Sequence, residues 1–174
     1  MSVSFSSRIG AGFFLALIFA AAPVGAKDQS LVTLSAGLFD LVSHRTQEFE
    51  GRAEYRHGQG FFETVGAFRG FKPIIGIMGN SAGAVFGYAG LAAPIVIGAK
   101  RWEIVPSGGV GGYHEGDGIF LGGTFEFHVG LSASYALSEN SRLGVALYHI
   151  SNANTHRKNP GVNSILLQWS LAFD

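Results

Sequence analysis

Residues 121–137 read LGGTFEFHVGLSASYAL. Leu121, Gly123, Phe125, Phe127, Val129, Leu131, Ala133, Tyr135 and Leu137 share one parity, and small or polar residues from Gly122 to Ala136 share the other. Residues two apart in a strand stand on the same face. The stretch therefore predicts a strand that is large and apolar on one side, small and polar on the other. An ordinary strand runs about 5–6 residues, whereas a tilted membrane strand needs about 9–11. A single alternation from 121 to 137 suits the second.

The same theme recurs on both sides of it. In Glu48 to Arg56, Phe49, Gly51, Ala53 and Tyr55 alternate with Glu48, Glu50, Arg52, Glu54 and Arg56. Further strands are expected at Leu31–Asp40, Lys72–Met78, Gly83–Ile97, Trp102–Tyr113 and in two segments of the last quarter. Turn signals separate them at Gly79-Asn80-Ser81, Gly98-Ala99-Lys100-Arg101, Gly116-Asp117-Gly118 and Ser138-Glu139-Asn140-Ser141. Eight strands are the smallest common number for a closed membrane barrel. The expected fold is thus all-β, an eight-stranded antiparallel transmembrane barrel of the outer-membrane type. Its soluble rival, a lipid-carrying barrel, would put the large apolar residues inside. Here the polar sets are small or charge-paired and suit a narrow bore, which also argues against a pore.

Composition agrees. The 174 residues include 26 Gly and 15 Phe, no Cys, and a balanced formal charge that gives nucleic acid no foothold. Absence of Cys removes disulfides and thiolate metal sites. Arg8, the apolar run Ala11–Ala22 and the small residues Val24-Gly25-Ala26 form the pattern of a secretory signal peptide over residues 1–26. A single domain over 27–174 follows it. No later segment has the length and hydropathy of a membrane helix, so a membrane-spanning mature chain has to close as a barrel.

The chemistry is expected in the last quarter, SRLGVALYHISNANTHRKNPGVNSILLQWSLAF from Ser141 to Phe173. Leu143, Val145, Leu147, His149 and Ser151 share a face, as do Asn163, Ile165, Leu167, Trp169, Leu171 and Phe173. His149 and Ser151 then sit at the outer end of one strand and Asn163 at the outer start of the next, all on the lipid side. His149-Ile150-Ser151-Asn152-Ala153, followed by Asn159-Pro160-Gly161, resembles the PagL family of lipid A 3-O-deacylases. That resemblance implies an eight-stranded outer-membrane barrel and hydrolysis of the 3-O-linked acyl ester of lipid A. It implies Ser151 as nucleophile and His149 as general base, two residues apart on one face. Asn152 and Asn159, with the backbone amides of 152–154, are implied as oxyanion donors. The family's acidic third member falls on Asn163, an amide that can orient His149 but carries no charge; Glu115 and Asp117 are the topological guesses for a substitute acid.

His156, Arg157 and Lys158 form a basic patch beside this motif, suited to lipid A phosphates. The scattered histidines assemble no metal site by spacing, and no cofactor is expected. The expected partners are lipopolysaccharide of the outer leaflet and the membrane itself, with a second copy of the chain as a further candidate. The competing function is a non-enzymatic barrel that keeps the scaffold and binds lipopolysaccharide or serves a structural role. The aromatic stretch Phe61 to Phe71 is expected to be an interfacial turn.

Overall fold

The computed structural model describes residues 29–41, 47–62, 65–98 and 101–173, so the expected signal peptide lies outside the described residues. Its strands are β1 (Ser30–Phe39), β2 (Glu48–Arg56), β3 (Lys72–Asn80), β4 (Val85–Ala92), β5 (Ile95–Ile97), β6 (Trp102–His114), β7 (Phe125–Ala136), β8 (Ser141–Ser151) and β9 (Val162–Phe173). Each pairs antiparallel with its neighbour, and β9 returns to β1, with Ser30 opposite Phe173. The sheet is closed. β4 and β5 both lie along β6 in one register, Ala92 opposite Ser107 and Ile95 opposite Ile104. Pro94 between them has no N–H to give to a ladder, so the assigned strand breaks there while the stave continues. The barrel has eight staves.

The alternation sorts the side chains in the sense a membrane requires. Leu34, Ile75, Val129 and Leu167 point outward and are 52–60% exposed, while Glu50 and Arg52 point inward and are buried. A soluble carrier needs the reverse arrangement, and its exterior would not be leucine, isoleucine and valine. The charges of the central layer are paired, as their removal from water demands, while Glu126, also buried, has no hydrogen-bond partner among the described residues for either carboxylate oxygen. Arg52 Nη2 donates to Glu50 Oε1 at 2.8 Å and its guanidinium lies 3.9 Å over the Tyr148 ring. Tyr88 Oη donates to Glu54 Oε2 at 2.7 Å, and Arg56 Nη2 reaches both oxygens of Glu103 at 2.9 and 3.0 Å. Gly76 makes room for this layer, since a Cβ there would lie 2.4 Å from the Tyr88 ring. Toward the rim at which β8 ends, the bore turns apolar with Phe39, Met78, Phe86, Leu121, Ile150 and Val162 packed together.

Half-exposed aromatics ring both ends, Phe49 and Phe125 at one rim and Trp102, Trp169 and Phe173 at the other, as the girdles of membrane barrels do. The second rim carries the start of β1 and the end of β9 and is taken as periplasmic.

One expected strand boundary is shifted by a glycine. β7 begins at Phe125, not Leu121, because Gly122 has φ +113 and breaks the extended chain. Leu121 is thereby turned into the core with 0% exposure, against the parity it shares with the exposed Phe125.

Candidate active site

His149, Ser151 and Asn163 do lie together on the outer face of β8 and β9, at the outer rim. His149 is the direct ladder partner of Asn163, and His149 Nδ1 is 3.0 Å from Asn163 Oδ1. An amide oxygen only accepts, so Nδ1 carries the proton in this bond, and in the neutral ring Nε2 is the nitrogen that keeps its lone pair. That is the tautomer a general base needs. Ser151 follows His149 by one same-face step, a rise of roughly 7 Å along the strand, which an imidazole and a hydroxymethyl reaching toward each other can span. Ser151 is half-buried opposite Phe127, and His149 lies opposite Val129. Phe125 packs edge-on against Phe127, with centroids 5.3 Å apart. Below the polar trio the lipid-facing row continues as Leu147 opposite Ile165 and Leu38 opposite Ile165. A polar cluster thus stands at the head of an apolar wall open to the side, an arrangement fitted to an ester whose acyl chain remains in lipid.

The loop from 152 to 161 roofs this cluster, and its hydrogen bonds correct one expectation. Asn152 is fully buried, not presented to substrate. Its Nδ2 donates to Leu121 O at 2.8 Å and to Lys158 O at 2.7 Å, and its backbone N–H donates to Asn159 Oδ1 at 3.1 Å. Asn159 Nδ2 in turn donates to Asn154 Oδ1 at 3.1 Å. The Asn152 donors expected at an oxyanion are spent on holding the loop together, and Asn159 serves the same end. Thr155 N donates to Asn152 O at 3.0 Å around Ala153 and Asn154, whose φ values are +51 and +63. Two consecutive positive φ values with this bond make a type I′ turn. Non-glycine residues pay for that conformation, and such strain gathers at functional sites. Arg157 and Lys158 stand exposed in the same loop.

Two glycine positions that the sequence reading assigned to a strand prove important here. A Cβ on Gly122 would lie 2.0 Å from Lys158 O and 2.6 Å from Asn152 Nδ2, and one on Gly123 would lie 2.5 Å from the His156 ring. The β6–β7 loop therefore docks on the roofing loop backbone to backbone. The consecutive glycines were the available signal. Glu115 and Asp117 are not brought to His149. Asp117 N donates to Ala82 O at 2.8 Å, and Gly116 packs on Gly83, so that turn sits on the β3–β4 turn. Among the described residues no cluster of His, Asp or Glu could hold a metal ion.

Gly161 closes the roof over the imidazole. It has φ +59, and a Cβ there would lie 2.9 Å from His149 Cε1. Gly161→Ala adds both backbone strain and a clash with the ring. Its expected outcome is a loss of about 10²-fold in any turnover that relies on His149, the scale of a 1 Å misplacement, with the barrel still folded. Turnover assays on protein whose heat-modifiable gel mobility is unchanged check it.

Comparisons with known proteins agree with the barrel fold. A family model described as Lipid A 3-O-deacylase (PagL) matches residues 43–172. No curated protein matches the chain in sequence. Among solved structures, the outer-membrane enzyme PagL is similar with a TM-score of 0.67 at 17% identity, covering 82% of this chain and 99% of that one. A de novo designed transmembrane β-barrel is similar with a TM-score of 0.57 at 11% identity over 86% of this chain and 98% of that one. Neisserial surface protein A is similar with a TM-score of 0.54 at 14% identity over 83% of this chain and 97% of that one.

Proposed function

Since the chain belongs to the PagL family of lipid A 3-O-deacylases, we propose that it is an outer-membrane esterase that removes the 3-O-linked acyl chain of lipid A with Ser151, His149 and Asn163. The observation that carries this reading is the 3.0 Å contact between His149 Nδ1 and Asn163 Oδ1 beside Ser151 on the lipid-facing side. Held by that contact, His149 Nε2 takes the proton of Ser151 Oγ as the oxygen attacks the ester carbonyl. A tetrahedral intermediate forms, the proton passes to the departing sugar oxygen, and the acyl group stays on Ser151. Water activated by the same nitrogen then releases the fatty acid. The backbone N–H groups of Ala153 and Asn154, in the strained turn after Ser151, are the donors proposed for the oxyanion. Arg157 and Lys158 are proposed to meet the phosphates of lipid A from the exposed side of the loop. Export by a cleaved signal peptide over residues 1–26 belongs to the same reading.

The test is mass spectrometry of lipid A from cells that overproduce the protein. The expected result is a species lighter by one 3-O-linked acyl chain. An unchanged spectrum, with the protein folded in the outer membrane, overturns the proposal. One observation favours the second reading, a barrel that binds lipopolysaccharide without cleaving it: the residue bonded to His149 is an amide where the family resemblance implies an acid.

A further inference from the structure

Periplasmic connections in outer-membrane barrels are short, yet the one joining β2 to β3 runs from His57 to Phe71. Within it the chain makes a hairpin of its own. Phe61 and Phe71 exchange backbone hydrogen bonds of 2.9 Å, and Val65 and Phe68 exchange bonds of 3.2 and 3.1 Å around Gly66 at φ +62. A Cβ on Gly60 would lie 2.1 Å from Phe71 O, so the two arms touch backbone to backbone. The hairpin is also tied to the barrel wall. Arg69 N donates to Pro94 O and Val96 N to Ala67 O, both at 2.8 Å, and Phe68 bridges to Ile95.

Those ties fix where its side chains go. Ile95 and Ile97 share the outward parity of β4 and β5, and Phe68, opposite Ile95, belongs to the same face. Phe71 continues the outward row of β3 through Ile75 and Ile77, with Lys72 turned inward and buried. Phe62 and Phe68 stack edge-on against Phe71, at centroid distances of 6.2 and 5.3 Å. Phe62 is 64% and Val65 77% exposed. The cluster is therefore an extension of the lipid-facing surface past the end of the staves, near the depth of Trp102, whose ladder partner is Ile97. Contiguous exposed apolar side chains of this kind mark a surface that is covered in use, and aromatic residues favour the boundary between acyl chains and headgroups.

We propose that the 61–71 hairpin is a lateral membrane anchor, its Phe62, Val65, Phe68 and Phe71 seated in the phospholipid leaflet on the periplasmic side. The occupant of this surface is lipid because the cluster is continuous with the barrel's lipid-facing belt through Ile95, Ile75 and Ile77. The proposal rests on the outer-membrane reading of the barrel.

The experiment places one indole on the hairpin. Phe62→Trp is made in a chain carrying Trp102→Phe and Trp169→Phe, folded into phosphatidylethanolamine–phosphatidylglycerol vesicles with and without acyl-brominated lipid. The parent chain, with its two girdle tryptophans, is measured alongside. The expected result is a blue-shifted emission that loses most of its intensity to brominated lipid and little to aqueous acrylamide. Quenching of the parent but not of the hairpin indole overturns the anchor. In that case acrylamide sensitivity points to a water-facing surface, and resistance to both quenchers that vanishes on dilution points to a second copy of the chain. A parent that brominated lipid leaves unquenched overturns the membrane reading itself. Val65→Trp in the same background gives the same readout if Phe62→Trp does not reach the folded barrel.

Discussion

Replacing Ser151 with alanine is expected to lower release of fatty acid from purified lipopolysaccharide by about 10³-fold or more. The loss falls on turnover because the proposed covalent route disappears, while the apolar wall of Phe127, Val129 and Leu147 beside it is untouched. The fold has no stake in the hydroxyl. Ser151 contributes its backbone to the ladder opposite Phe127, and its side chain faces outward. Unchanged heat-modifiable mobility therefore accompanies the lost activity, and quantified fatty-acid release by mass spectrometry is the measurement. An alanine variant as active as the parent would mean that Ser151 is not the nucleophile. A parent with no activity of its own would leave the lipopolysaccharide-binding barrel as the surviving reading.

The opposite sign is expected at Asn163. Asn163→Glu puts a carboxylate beside His149 Nδ1, 3.0 Å from the present amide oxygen. In the proposed mechanism the amide orients the ring but offers no charge to the imidazolium that would form during attack. In a serine protease the analogous loss of the acid costs about 10⁴ in turnover. Much of that cost comes from a wrong tautomer, which the Oδ1 acceptor here already avoids. A gain between about 10- and 10⁴-fold is therefore expected, appearing in kcat more than in KM. Steady-state kinetics of the two proteins on one lipopolysaccharide preparation decide it. A fall in kcat in a folded variant would show that the site is tuned to the amide, with the shorter Asn163→Asp change separating charge from length.

Much of the barrel was legible because parity is a local property. Phe125 to Ala136 needs only its own sequence to divide into a lipid face and a bore face, and the same holds for His149, Ser151 and Asn163. What could not be read depends on which distant segment arrives. Gly122 and Gly123 fit the alternation as well as any small residue, yet they are where the β6–β7 loop meets Lys158 and His156. Asn152 stands next to Ser151 in sequence and looked like a donor to substrate. Its amide is instead consumed by Leu121 O, a partner far away along the chain. Phe61 to Phe71 was legible as an aromatic, interfacial turn but not in its direction. Its outward direction came from the pairing of Phe68 with Ile95, which no local pattern encodes.

The pairing of Ser30 with Phe173 has a consequence for how this molecule comes into being. The seam joins nearly the two extremes of the described chain, so its loop-closure entropy is paid only when every intervening stave is in place. Until then both β1 and β9 are open edges, with unpaired backbone groups that lipid will not accept. Maturation is thus close to all-or-none. The roofing loop, which needs Leu121 from one hairpin and Asn152 from the next, shares in it. On the proposed reading, a chain whose seam is still open carries Ser151 and His149 but not the enclosure around them.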